Sequence, residues 1–151
     1  MTSGRFIVYV IIGVTLVFGA TLWWFNTRAY YEPLDMVEVA VQRPDGALVT
    51  LEISDASGID ASTSPLRFRA CFTLDDPNAL AEAAPYDAPT PLIGPGWFDC
   101  FDATAIGEAL EAGEATAYLG QRNTSRGVDR VVAIFPDGRG YAWTQLNGTL
   151  E

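Results

Sequence analysis

The chain has 151 residues, 49% of them hydrophobic and 19% charged, which suits one small domain plus a terminal segment and excludes a disordered chain. Nine basic residues, all arginine, face nineteen acids, and both histidine and lysine are absent. That removes Ser-His-Asp and Cys-His catalysis, Cys-His zinc sites, lysine Schiff bases and the phosphate-loop lysine.

Residues 6–25, FIVYVIIGVTLVFGATLWWF, carry no charge. A helix of that length rises roughly 30 Å, the thickness of a bilayer's hydrocarbon core, so the stretch reads as a transmembrane helix after a short N-terminal tail, residues 1–5. A cleaved signal has a shorter apolar region and ends in small residues, whereas Trp23, Trp24 and Phe25 close this one. Thr27-Arg28-Ala29 is the nearest approach to a cleavage site, and a weak one. Trp23, Trp24, Tyr30 and Tyr31 cluster at the C-terminal end, where amphipathic rings favour the headgroup layer. From Ala29 onward seven arginines meet all nineteen acids, a net of −12. This balance places residues 1–5 in the cytoplasm and the remainder across the membrane, in the periplasm of a Gram-negative bacterium. Thr15 and Gly19 form a small-xxx-small pair, common by chance on a lipid-facing helix.

Residues 26–36 read as a linker in which Pro33 discourages helix. From residue 37 the period becomes two: Val37, Val39 and Val41 alternate with polar or small neighbours, and the turn RPDG leads into ALVTLEIS, a hairpin. DASGIDASTSP reads as a polar loop. LRFRACFTL is a further strand, with Leu66, Phe68, Ala70, Phe72 and Leu74 on one face and Arg67, Arg69, Cys71 and Thr73 on the other. Residues 75–98 hold five of the nine prolines. Such a long insertion is functional, mobile, or a cover for an open sheet edge, and DPNALAEAA can form one or two helical turns. Asp102 caps a helix over 103–112 that Gly113 ends, with Ile106 and Leu110 on its apolar side. ATAYLGQ reads as a strand and NTSRGVD as a turn. RVVAIF, PDGRG and YAWTQL form a closing hairpin. About six strands and one short helix make an α+β domain, residues 37–151, with a mainly antiparallel sheet.

AYYEPLDMVEV after the apolar segment, RFRACF, PLIGPGWFDCFDA and FPDGRGYAWTQLN resemble an uncharacterised alphaproteobacterial family of short single-pass membrane proteins. The resemblance covers nearly the whole chain. It brings no activity, cofactor or catalytic residue with it.

Four readings of Cys71 and Cys100 compete. A redox pair needs a lowered thiol pKa, yet no C-x-x-C is present and Asp99 and Asp102 flank Cys100. A metal site lacks histidine, and free core thiols suit a reducing compartment. A disulfide suits an oxidising one and an even count, and closing 29 residues contributes about 3–4 kcal/mol on the chain-entropy model. Asp75-Asp76 and Asp99/Asp102 lack the spacing of a calcium loop and read as solvated surface. Gly94-Pro95-Gly96 is not a phosphate loop. The charge of −12 repels nucleic acid.

The chain is therefore expected to be a non-catalytic, membrane-anchored accessory, assembly or interaction protein of the cell envelope. It would meet the lipid bilayer through residues 6–25 and a larger membrane complex through its acidic domain, with no cofactor, metal or nucleic acid. The alternative is a small-ligand-binding or thiol-redox module using Cys71, Cys100 and the 75–98 loop.

Overall fold

The structure, a computed structural model, describes residues 3–149. Residues 1 and 2 of the expected cytoplasmic tail and residues 150 and 151 of the expected domain lie outside it. The described chain divides into two units, the first ending at Tyr31 and the second beginning at Glu32.

The first unit is helix α1, Ser3–Trp24, continued by one wide π-helical turn, Phe25–Ala29. The helix is long and apolar enough to cross a membrane, with a mean hydropathy of 2.3 and none of its residues buried. Three of its polar side chains turn back on its own backbone. Thr15 Oγ1 donates to the Ile11 carbonyl, Asn26 Nδ2 to Leu22 and Thr27 Oγ1 to Trp23, at 2.7–2.9 Å. This is how hydroxyls and amides are satisfied where water is scarce.

The second unit is α+β. Strands β1 (Glu32–Pro33), β4 (Ile53–Asp60), β5 (Arg69–Leu74), β6 (Thr116–Ser125), β7 (Val128–Ile134) and β8 (Arg139–Leu146) form one antiparallel sheet in the order β1-β4-β5-β8-β7-β6. Strands β2 (Ala40–Gln42) and β3 (Leu48–Thr50) form a separate two-stranded hairpin. Both PDG sequences make turns as their chemistry predicts, with Gly46 at φ 92° and Gly138 at φ 89°.

The sheet is covered on both faces. Ala70, Phe72 and Leu74 of β5, Val132 and Ile134 of β7 and Ala142 of β8 pack with Val39, Val41 and Leu51 of the hairpin region. On the opposite face Cys71, Val131, Ala133 and Trp143 pack with Phe101 and with Ala103 and Ile106 of helix α2, Ala103–Glu111. The central strands are therefore buried on both sides, and the polar residues on their second face are interior ones. Arg69, on the strand face that the sequence pattern assigns to Arg67, Arg69, Cys71 and Thr73, is buried.

Three stretches differ from the sequence reading. DASGIDASTSP was expected to be a loop, but its first half continues β4 as far as Asp60. A register shift between Ser54 and Ser57 and a positive φ at Asp55 break the alternation that would have revealed a strand. NTSRGVD was expected to be a turn, but β6 runs to Ser125 and β7 resumes at Val128, leaving residues 126 and 127 to turn. Within 26–36, Glu32 and Pro33 pair with Asp60 and Ile59 of β4.

Candidate functional site

Cys71 and Cys100 are joined in a disulfide with Cα atoms 6.3 Å apart. Cys71 lies on β5 between Ser57 of β4 and Tyr141 of β8, and is buried. Cys100 is exposed, two residues before the cap of α2, with the Ser57 hydroxyl 3.6 Å from its sulfur. Asp102 accepts from the amides of Thr104 and Ala105 and so starts the helix. The bridge thus fixes the entry of α2 against the middle of the sheet. Around it Phe101 packs edge-to-face on Tyr141 and Trp143, with centroids 6.1 and 6.3 Å apart, and Trp97 meets Phe98 similarly.

Asp75 and Asp76, like Asp102, serve local structure. Asp75 accepts from the Ser54 hydroxyl at 2.6 Å. Asp76 caps a single 3-10 turn, Pro77–Leu80, which is the helical content of DPNALAEAA. Among the described residues no group of three or more His, Cys, Asp or Glu is placed to hold a metal ion.

The proline-rich segment is strapped across the sheet. Its first anchor is at the β6 edge, where Tyr86 donates its amide to Ala117 and Leu119 donates to Ala84, at 3.0 and 2.8 Å. Pro85 makes the bridge opposite Tyr118. Its second anchor is Gln145 of β8, buried, which accepts from the Thr90 amide at 2.7 Å and from Trp143 Nε1 at 2.9 Å while donating to the Ala88 carbonyl. The third is Arg69 of β5, whose Nε donates to the Leu92 carbonyl at 2.7 Å. Edge cover was among the readings of this segment, and it describes the first anchor alone. Proline supplies no amide to a ladder, and beyond Tyr86 the strands hold this segment with the side chains of Gln145 and Arg69.

Asp129, buried on β7, organises the neighbouring end. Its Oδ1 accepts from the Asn123 amide and from Asn147 Nδ2, both at 2.8 Å, and its Oδ2 faces the Tyr86 hydroxyl at 3.4 Å. Burial first, and then the Asp129 charge, raises the Tyr86 pKa.

On the other face the apolar surface ends in a polar cavity of about 350 Å³. Arg130 and Thr144, directly paired across β7 and β8, line it together with Phe68, Asp60 and several hydroxyls. Neither residue was singled out in the sequence. The available signal was that both fall in register with inward apolar residues, Val132 and Ala142.

Of the aromatics expected at a membrane interface, Trp23, Trp24 and Tyr30 are exposed and Tyr31 is half-buried. Trp23 and Trp24 end α1, Tyr30 and Tyr31 lie just after the π-helical turn, and Tyr30 meets Phe25 in a tilted ring contact with centroids 5.8 Å apart.

The chain belongs to a family of unknown function, DUF6446, whose family model matches residues 37–151. The match begins with the sheet domain's first apolar residues and leaves α1 outside it. No curated protein and no solved structure matches the chain.

Proposed function

We propose that the chain is a single-pass protein of a bacterial inner membrane. Helix α1 anchors it, residues 1–5 are cytoplasmic, and the acidic domain acts in the periplasm as a non-catalytic interaction or assembly partner of a larger envelope complex. The observation that carries this reading is the combination of an apolar helix with no buried residue and a disulfide in the domain that follows it. Bare apolar helix surface calls for lipid, and a disulfide persists in an oxidising compartment. The interaction role is supported by a cleft of about 610 Å³ between the strap and α2, rimmed by Asp87, Glu108 and Glu111. Ile93 of the same strap is 81% exposed. A partner carrying a basic segment suits that rim, and the net charge of the domain would steer it there.

The test is affinity purification of the full chain from detergent-solubilised membranes, alongside a reporter fused after the domain. A stoichiometric partner, lost when Glu108 and Glu111 are replaced by arginine, is the expected result. Reporter activity confined to the cytoplasm, or free thiols at Cys71 and Cys100 in membrane-derived protein, would overturn the reading.

A further inference from the structure

The cavity beside Arg130 is built differently from the rest of its face. Along β7 the residues pointing to the hairpin side are Ile134, Val132 and then Arg130, and along β8 they are Ala142 and then Thr144. At the row where apolar packing stops, a cation and a hydroxyl stand opposite each other. Thr144 is 2% exposed, and its Oγ1 has no hydrogen-bond partner among the described residues. Arg130 Nε is likewise buried and unpartnered, and Arg130 forms no ion pair among the described residues. Buried polar atoms are nearly always satisfied, so two orphans in one row mark a place that something else completes.

The guanidinium is held rather than loose. Its Cζ lies 3.8 Å from the centroid of the Phe68 ring, within cation–π distance. Its stem crosses β6 at Gly120, where any Cβ would come within 3.1 Å of Arg130 Cγ and 3.0 Å of the Arg130 carbonyl. Ser62 and Ser125 add hydroxyls to the wall, and Asp60 adds one carboxylate, close enough to favour the Arg130 charge that burial opposes.

We propose that this cavity binds a small α-amino carboxylate in its zwitterionic form. A guanidinium presents a planar set of donors that matches a carboxylate, and the Thr144 hydroxyl is a further donor beside it. Asp60 decides the rest of the ligand. It disfavours a multiply charged anion such as phosphate and offers an acceptor to an ammonium group. The wall therefore carries one positive and one negative charge, the complement of a zwitterion. The site lies on the sheet face opposite the disulfide and the cleft between the strap and α2, so it stands or falls independently of the interaction role proposed above.

The test is calorimetric titration of the full chain in detergent with glycine, L-alanine, L-serine and their D forms, with L-lactate and inorganic phosphate as comparisons. Saturable binding of at least one amino acid is expected, with lactate and phosphate at least tenfold weaker. Arg130→Met, which keeps a stem over Phe68, and Asp60→Asn should each weaken binding at least tenfold. Thr144→Val should weaken it severalfold while leaving the empty protein as stable or more so, because the orphaned hydroxyl is gone. That last pair of readings separates a ligand contact from a structural role. No saturable heat with any amino acid, undiminished binding in Arg130→Met, or phosphate binding that matches the amino acids would overturn the proposal.

Discussion

Gln145 and Thr90, 55 residues apart, are joined by a 2.7 Å hydrogen bond from the Thr90 amide to Gln145 Oε1. Gln145 Nε2 in turn donates to the Ala88 carbonyl at 3.0 Å. A single buried side chain on β8 thereby takes the place of the ladder that a proline-rich strap cannot form. Gln145→Ala leaves the Thr90 amide, the Ala88 carbonyl and the Trp143 indole without this partner. The expected loss is about 2–4 kcal/mol, read from urea denaturation, because unsatisfied buried groups cost about 1–3 kcal/mol each and are not additive. Amide exchange at Thr90 should accelerate even under native conditions. Unchanged exchange there would show that the strap is held by its other anchors alone.

The Cys71–Cys100 bridge closes a segment of 29 residues. Replacing both cysteines with serine should lower stability by about 3–4 kcal/mol on the chain-entropy model, with the secondary structure preserved. Because Cys100 is exposed and Cys71 buried, a thiol reductant should attack at Cys100. Reduced wild-type protein and the double variant should then melt at the same temperature in calorimetry. A double variant as stable as the oxidised protein would exclude a structural role for the bridge.

Gly140 on β8 sits opposite Phe72 on β5, and a Cβ built there would collide with the edge of the Phe72 ring. Gly140→Ala therefore forces the ring out of the core it shares with Leu74 and Ile134. Overpacking of this kind costs about 1–3 kcal/mol, and more where the backbone on both sides is paired, as it is for β8. A compensating Phe72→Leu exchange should recover part of the loss in the double variant. Full additivity of the two changes in denaturation experiments would contradict direct contact as the cause.

Alkaline pH should weaken the fold through Tyr86. Its pKa in the folded protein is raised above the ordinary 10.0, by burial foremost and by Asp129 next. A neutral phenol is therefore favoured in the folded state. The stability it contributes is present in full below about pH 10 and is lost as pH rises through the folded value. Tyr86→Phe removes this ionisation, so its stability above pH 10 should decline less steeply than that of the wild type. Parallel pH profiles would rule the Tyr86–Asp129 pair out as the origin.

Much of the domain was legible because its determinants are local. The two PDG turns require glycine at a left-handed position, and both adopt it. Asp102 caps its helix with the two amides its position predicts. Runs such as RVVAIF and YAWTQL declare strands through β-branched and aromatic content. The strand portions that escaped notice, residues 55–60 of β4 and the last part of β6, lie toward the sheet edges, where one side faces solvent and polar residues are tolerated. Their sequences, DASGID and QRNTS, carry no apolar alternation, and register shifts in both displace what remains of it.

Composition and spacing by themselves determined that the chain has a helix long and apolar enough to cross a membrane, an antiparallel α+β domain, and chemistry without histidine or lysine. Each of these follows from residue identity or from periods of a few residues. What only the tertiary structure decided is which polar residues are interior. Arg69, Gln145 and Thr144 are ordinary strand residues in the sequence and Asp129 ends an expected turn, and each is buried because a second layer closes over its face. The covers are the hairpin with the start of the strap on one side and the rest of the strap with α2 on the other, contributed by segments far away along the chain. No local pattern encodes that closure, so the strap's anchors and the Arg130–Thr144 cavity emerge only when the layers are assembled.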